Sequence, residues 1–370
     1  MRSGFVSILG RPNAGKSTLL NALIGEKIAI VSNKPQTTRN RIQGIVEVPA
    51  RKGRNAAQIV FVDTPGVHRP GSQLDRRMMQ EVYEALESRD IVLLMVDAAR
   101  YSEPLPPGKK PSPRAERESS EDAFVLQLIQ KLDCPVFLVI NKIDLVLRSK
   151  LLPLIERFRA LHPFAEVIPI SASKKDGLDT LLTKLVEYLP EGQRYFPKEQ
   201  FTDQPERFLV AELIRERILL ETGEEVPYAS AVVVERFEEP EPVAPKSSKL
   251  PLTRISAVIY CERSGQKAIL IGKGGSKLKS IGAAARKEIE SLLGTRVYLE
   301  LHVIVEENWR ESRYFVDSLD WRKQLEDLAQ TKPDIATKPL KTGRQSVGRV
   351  PQVRPSVPGP KKKGEAPPLL

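Results

Sequence analysis

Three short stretches carry residue types that can hold a nucleotide. Gly10-Arg11-Pro12-Asn13-Ala14-Gly15-Lys16-Ser17 follows an apolar run over residues 5–9. It leads through Thr18 into apolar residues at helical spacing that stop at Gly25. In a strand, glycine loop and helix, backbone N–H groups close around phosphate oxygens and the helix N-terminus adds a favourable dipole. Lys16 then reaches the β- and γ-phosphates, and the Ser17 hydroxyl reaches Mg²⁺. The second stretch, Asp63-Thr64-Pro65-Gly66, ends a predicted strand over 57–62. A carboxylate there can hold Mg²⁺ through water, and the Gly66 N–H can meet a γ-phosphate. The third, Asn141-Lys142-Ile143-Asp144, follows a predicted strand over 136–140. Asp144 can accept from both the guanine N1–H and 2-amino groups, donors that adenine lacks, which points to GTP and GDP and disfavours an ATPase or kinase. Ser171-Ala172, after a predicted strand over 166–170, would offer backbone N–H to the guanine O6.

A fourth stretch suits a different polymer. Ile271-Gly272-Lys273-Gly274-Gly275-Ser276-Lys277-Leu278-Lys279 fits the Gly-x-x-Gly loop of a KH domain, where closely approaching backbone and a helix N-terminus grip the phosphates of a single strand. Lys273, Lys277 and Lys279 add positive charge on one side. Ile271, Leu278 and Ile281 are expected to floor an apolar groove for unstacked bases.

The elements that must position these loops follow from periodicity. Strands over 5–9, 42–48, 57–62, 91–97, 136–140 and 166–170 alternate with helices over 17–24, 74–88, 121–132 and 178–188. This is an α/β pattern: a mostly parallel sheet with helices on both faces and ligand loops at the strand C-termini. Beyond a polar, proline-containing linker come a helix over 208–220, strands over 229–237 and 255–261, the glycine loop between helical segments, and a strand over 296–305. The order α-β-β-α-α-β is that of an α+β type II KH fold. The division expected is a nucleotide-binding domain over 1–190 with a flexible insertion at 98–120, a linker over 191–206, an RNA-binding domain over 207–328, and a disordered tail from 329 to 370. The loop 238–251, rich in proline and charge, is expected to be mobile.

Composition narrows the class. The net charge is +11, but the tail alone holds nine lysines and arginines against Asp334 and Glu365, so the rest carries only +4. A basic balance therefore says little about the folded part. Cys134 and Cys261 make no disulfide framework, which fits a reducing cytosol, and three histidines without a Cys/His cluster give no zinc site. The run 91–96 is far short of the roughly 20 apolar residues of a membrane span. The first strand starts at once, so no secretory leader is expected.

The ordered set Gly10 to Ser17, Thr38, Asp63 to Gly66, Asn141 to Asp144 and Ser171-Ala172 resembles a translation-factor-class GTPase. Lys34-Pro35-Gln36-Thr37-Thr38-Arg39, Tyr195-Phe196-Pro197, Thr202-Asp203 and Arg207-Phe208 are similar to stretches of the Era family of bacterial ribosome-assembly GTPases. So are Ile271-Gly272 through Ser280-Ile281-Gly282 and Ala285-Arg286-Lys287, and the similarity runs from about residue 4 to 321. The resemblance implies that Thr38, rather than Thr37, meets Mg²⁺ and the γ-phosphate. It associates Asn13 with a K⁺ ion that takes the place of an arginine finger. Residue 67 is valine where Ras-like proteins place the glutamine that orients the attacking water, so that water must be positioned otherwise. Arg286 joins the RNA-binding set. The implied target is the single-stranded 3′ end of 16S rRNA, in 16S rRNA processing and 30S ribosomal subunit biogenesis. A monomeric cytoplasmic protein with peripheral contact to the inner membrane is implied too. Family members carry a Gly-Trp pair near the domain's end where this chain has Asn308-Trp309. The rivals are a GTP-binding RNA scaffold without significant turnover, and a GTPase of another RNA-related pathway.

Overall fold

The computed structural model describes residues 1–101, 113–239 and 251–331. Six strands, β1 (Arg2–Gly10), β2 (Ile42–Val48), β3 (Ala57–Asp63), β4 (Ile91–Asp97), β5 (Val136–Asn141) and β6 (Glu166–Pro169), form one sheet in the order β2-β3-β1-β4-β5-β6. All neighbours are parallel except β2 against β3. Helices α1 (Lys16–Ile24), α2 (Gln73–Glu87), α3 (Ala98–Tyr101), α4 (Pro113–Ile129), α5 (Leu151–Arg159) and α6 (Leu178–Tyr188) connect them. The strands are apolar almost throughout because both faces are covered. In β4, Ile91, Leu93 and Met95 join one core with Leu20 of α1 and Leu185 of α6. Val92, Leu94 and Val96 join the other with Val82 of α2, Ile129 of α4 and Phe158 of α5. Register sets the level of the loops: Ile8 pairs with Asp63, and Asp97 with Asn141. The ends of β1, β3 and β5 therefore reach one edge together.

The second unit runs α7 (Glu206–Glu221), β7 (Ala231–Glu238), β8 (Leu252–Cys261), α8 (Ser264–Ile271), α9 (Ser276–Leu293) and β9 (Arg296–Val305), the expected α-β-β-α-α-β order. Its sheet is β7-β8-β9, antiparallel then parallel. Ile214 and Ile218 of α7 pack with Ile281, Ala285 and Ile289 of α9 against the sheet. Two further helices follow, α10 (Arg313–Ser318) and α11 (Trp321–Thr331).

Several boundaries differ from the sequence reading. Of the stretch 98–120 expected as a flexible insertion, 98–101 form α3, and α4 starts at Pro113 rather than at 121, since proline is tolerated in a helix's first turn. Its middle, 102–112, lies outside the described residues, as do 240–250 of the loop expected to be mobile and 332–370 of the tail expected to be disordered. Helix α11 continues to Thr331, past the expected start of that tail. Helix α5 was not anticipated; Pro153 sits in its first turn. Asn308 takes φ 52°, a left-handed conformation open to glycine and tolerated by asparagine, so the turn before Trp309 accommodates the change. Among the described residues no helix is long and apolar enough to cross a membrane.

Candidate functional site

The loop after β1 turns at Asn13, φ 63°, and enters α1 through Gly15, φ 99°. A Cβ on Gly15 would stand 2.2 Å from Asn141 Nδ2, so only glycine lets this loop pass so close to the Asn141-to-Asp144 motif. Lys16 is buried, and its ammonium donates to the Gly10 and Arg11 carbonyls, 3.1 Å each. Burial lowers its pKa to about 8, with the Asp63 charge pulling the other way. Arg11 points away from the loop, to Glu121 and Asp122 of α4 at 2.5 and 3.0 Å.

Three hard oxygen groups from three elements meet beside this loop. Ser17 Oγ lies 2.6 Å from Asp63 Oδ2 and 2.8 Å from Thr38 Oγ1. Burial raises the Asp63 pKa to about 6, opposed by the Lys16 charge and by the hydroxyls of Ser17 and Thr38. Asp63 Oδ1 is buried without a hydrogen-bond partner. An orphaned carboxylate oxygen beside two hydroxyls fits a hard divalent cation such as Mg²⁺. Thr37, the alternative to Thr38, instead hydrogen-bonds Ser32 Oγ and the Lys34 carbonyl. Asn13, Gly15, Lys16, Ser17, Thr18, Thr38 and Gly66 line one recess, and Gly66 is buried. The Val67 side chain is fully buried in the core, so nothing at position 67 reaches toward a phosphate.

Asn141 knits the base side to the phosphate side. Its amide donates to the Ala14 carbonyl at 2.8 Å and accepts from the Ala172 N–H at 3.0 Å. The Ala172 N–H expected to meet guanine O6 is thus already engaged, and a base oxygen would share it. Lys142, φ 64°, pairs with Asp97 at 2.6 Å. Asp144 is exposed in the 3₁₀ turn Ile143–Leu145, open to a base edge.

The glycine loop of the second unit stands apart from this recess. Gly272, Gly274 and Gly275 all have positive φ, and a Cβ on Gly272 would come within 2.7 Å of Lys277 Cβ. Lys273, Lys279 and Arg286 are exposed and Lys277 is half-buried. The groove floor is smaller than expected. Ile281 is fully buried and belongs to the core stripe with Ala285 and Ile289, which leaves Ile271 and Leu278 half-buried.

What the sequence reading missed is the surface between the two units. Arg39, next to Thr38, is buried; it donates to the carbonyls of Ser230, Tyr228 and Pro227 at 2.7, 3.1 and 3.4 Å and lies 5.7 Å from the Trp309 ring. Burial lowers its pKa to about 9, helped by Arg215. Arg215 of α7 donates to the Thr37 carbonyl, and Lys34 to the carbonyls of Leu219 and Thr222. The Val31 N–H donates to Glu216 at 2.9 Å. Trp309, fully buried, packs against Leu74 and Met78 of α2 and donates to the Ala229 carbonyl at 2.9 Å. The loop 31–39, part of which lines the recess, and helix α2 are both fastened to the second unit. Lys34 and Arg39 were visible as cations in a loop, but nothing in their neighbours announced these partners.

Comparison with known proteins agrees with this geometry. The family described as 50S ribosome-binding GTPase matches residues 5–142, and the KH domain family matches 225–310. The GTPase Era of Syntrophus aciditrophicus is 47% identical over 310 residues, 83% of this chain and 91% of the relative. That of Lacticaseibacillus paracasei is 47% identical over 319 residues, 86% and 96% of the two chains. Among solved structures, an Era in complex with MgGDPNP and nucleotides 1506–1542 of 16S ribosomal RNA superposes with a TM-score of 0.76 at 39% identity, covering 87% of this chain and 99% of that one. An Aquifex aeolicus Era variant bound to GDP and AlF₄⁻ gives 0.74 at 38%, with the same coverage. Because the two GTPase Era relatives are 47% identical over more than four fifths of this chain and more than nine tenths of their own, the chain belongs to the Era family of GTPases.

Proposed function

We propose that this GTPase uses its nucleotide state to control its hold on the single-stranded 3′ end of 16S rRNA, acting in 16S rRNA processing and 30S subunit biogenesis. The observation that carries the coupling is the fastening of loop 31–39, which bears Thr38, to α7 and to residues 227–230 of the RNA-binding unit. A loop held on both sides cannot rearrange around a γ-phosphate without moving its docking partner. Helix α7 packs on α9, which the Gly272-to-Gly275 loop opens. That chain of contacts joins the two sites.

In this reading Lys16 balances charge on the β- and γ-phosphates, the Gly66 N–H meets the γ-phosphate, and Asp144 selects guanine. Ser17, Thr38 and Asp63 would hold Mg²⁺, which offsets phosphate charge when bound. Asn13 donates to the Asn33 carbonyl at 2.7 Å. Turned about, the same amide presents its oxygen beside that carbonyl, a pair of neutral donors of the kind K⁺ takes. With Val67 in the core, backbone groups rather than a side chain at that position orient the attacking water. Lys273, Lys277, Lys279 and Arg286 would face RNA phosphates around Gly272, Gly274 and Gly275, with Ile271 beneath a base. The working division into domains at 1–190, 207–328 and a tail from 329, a monomeric state, and a cytoplasmic site with peripheral inner-membrane contact belong to the same proposal.

The test is GTP hydrolysis in K⁺ and in Na⁺, with and without an oligonucleotide matching the 3′ end of 16S rRNA. Stimulation by RNA, lost in Lys273→Glu/Lys277→Glu while GTP affinity is kept, is the expected outcome. Tight RNA binding without stimulation would mean two uncoupled modules. Equal rates in the two salts would remove Asn13 from its proposed role.

A further inference from the structure

The first polar side chain after the Asp63-to-Gly66 turn is His68, and its neighbours decide its charge. Nδ1 lies 2.8 Å from the Gly66 carbonyl, and Nε2 lies 2.9 Å from Asp75 Oδ1. Both partners are acceptors. A neutral imidazole carries one N–H and can satisfy one of them; the imidazolium donates to both.

The alternative, a protonated Asp75, is opposed by its surroundings. Oδ2 accepts from the N–H groups of Gly71 and Ser72 and from Ser72 Oγ, at 2.9 to 3.1 Å. Oδ1 also accepts from the Gln36 amide at 2.7 Å. Burial favours the neutral acid, but His68, Ser72 and Gly71 prevail and hold its pKa at about 2. Arg39 and Arg310 also act on it with positive charge. For His68 itself, burial works against the charge. The hydrogen bonds to Asp75 and Gly66, with the negative charges of Asp75 on α2 and Glu121 on α4, outweigh it and raise the pKa above the ordinary histidine value.

The consequence lies in the peptide between Gly66 and Val67. Its N–H donates to the Gly10 carbonyl of the phosphate loop at 3.1 Å, and its carbonyl accepts from His68. Pinned at both ends, that unit fixes how Gly66 presents its own N–H. Through Asp75 the same ring is joined to Gln36, in the loop that carries Thr38.

We propose that His68 is a positioning residue for hydrolysis that works only as the imidazolium, tying the Gly66 carbonyl to Asp75 and through it to Gln36, so that the loops on both sides of the recess keep one arrangement. This rests on the reading that the Gly66 N–H meets the γ-phosphate. When the ring loses a proton, the remaining N–H stays with the carboxylate and the Gly66 carbonyl is released. GDP, without a γ-phosphate, does not sense the difference.

The experiment pairs two measurements on the full chain. The first follows the ring-nitrogen shifts of ¹⁵N-histidine-labelled protein against pH; the three histidines are His68, His162 and His302, and His68→Gln assigns the first. The second measures kcat and KM for GTP, with GDP affinity, over the same range. The expected result is a doubly protonated His68 at neutral pH and a kcat that falls tenfold to a hundredfold as pH rises through its pKa, the worth of one charge-assisted hydrogen bond. His68→Gln should lack that alkaline limb, run at the lower rate, and bind GDP as the wild type does. Ring shifts of a single neutral tautomer at pH 7 would overturn the proposal even if the variant failed to fold, as would an alkaline limb that persists in a folded His68→Gln. If His68 is charged at neutral pH but kcat is flat through its pKa, the proposal is overturned, while the Gly66 reading is judged separately by whether GDPNP, unlike GDP, perturbs the Gly66 amide resonance.

Discussion

Arg39→Met probes the joint between the nucleotide recess and the RNA-binding unit. The guanidinium makes two well-formed hydrogen bonds to backbone carbonyls, a third at the limit of the range, and faces the Trp309 ring. Two bonds from a charged donor and a desolvated cation–ring contact favour docking by roughly 5 kcal/mol. The guanidinium is buried with no carboxylate among those partners, a cost of several kcal/mol that methionine does not carry. The difference leaves a net loss of ~2 kcal/mol, or about thirtyfold in the ratio of docked to undocked arrangements. That loss falls on coupling rather than on either site, because Arg39 touches neither the phosphate loop nor the Gly-x-x-Gly loop. The assay is equilibrium binding of a labelled 16S 3′-end oligonucleotide in GDPNP and in GDP. The ratio of the two dissociation constants should shrink by about thirtyfold or collapse to one, while GDP affinity stays put. Arg39→Lys, which keeps charge but not the planar fork, should fall between. A wild-type ratio in folded Arg39→Met would refute the reasoning.

Trp309→Ala removes the largest fully buried side chain and leaves the Ala229 carbonyl without its donor. A loss of about 3–5 kcal/mol in urea unfolding is expected, and a loss under about 1 kcal/mol would show that the ring's packing against Leu74 and Met78 contributes little. Asp75→Asn should destabilise the protein at neutral pH. The folded pKa of Asp75 is depressed to about 2 from 3.8, so its contribution is present above pH 3.8 and lost as pH falls toward 2. Stability curves of wild type and variant should therefore converge across that acid window; a constant gap down to pH 2 would mean that the charge is irrelevant. Asp144→Asn should cut GTP affinity a hundredfold or more, since the amide presents one acceptor where guanine offers two donors, and xanthosine triphosphate should bind better than GTP. Unchanged preference for GTP would place the base elsewhere.

The nucleotide loops were legible in sequence because their requirements are local. A phosphate loop needs glycines at fixed spacing after a strand, and Ser17, Asp63 and Asn141 each stand at the end of an element whose periodicity is plain. The register of parallel strands did the rest, bringing Asp63 level with Ile8 and Asn141 level with Asp97. Helix α5 carries no such signal: Pro153 stands in its first turn, where proline costs a helix little. Ile281, expected in a groove floor, instead recurs at four-residue steps with Ala285 and Ile289, the stripe by which α9 faces its own core. The joint between the units was illegible for a different reason. Around Arg39 and Arg215, Thr37, Pro227, Tyr228 and Ser230 take part through carbonyl oxygens, which every residue has, so in these contacts only the cation leaves a mark in the sequence. A cation in a loop is most often solvated, and it takes the three-dimensional fact that Arg39 is buried to show that this one is not. Side-chain identity at the carbonyl positions is correspondingly free to vary. The prediction is that Ser230 tolerates alanine while Arg39 does not tolerate methionine, and reversal of that asymmetry in the RNA-binding ratio would break the argument.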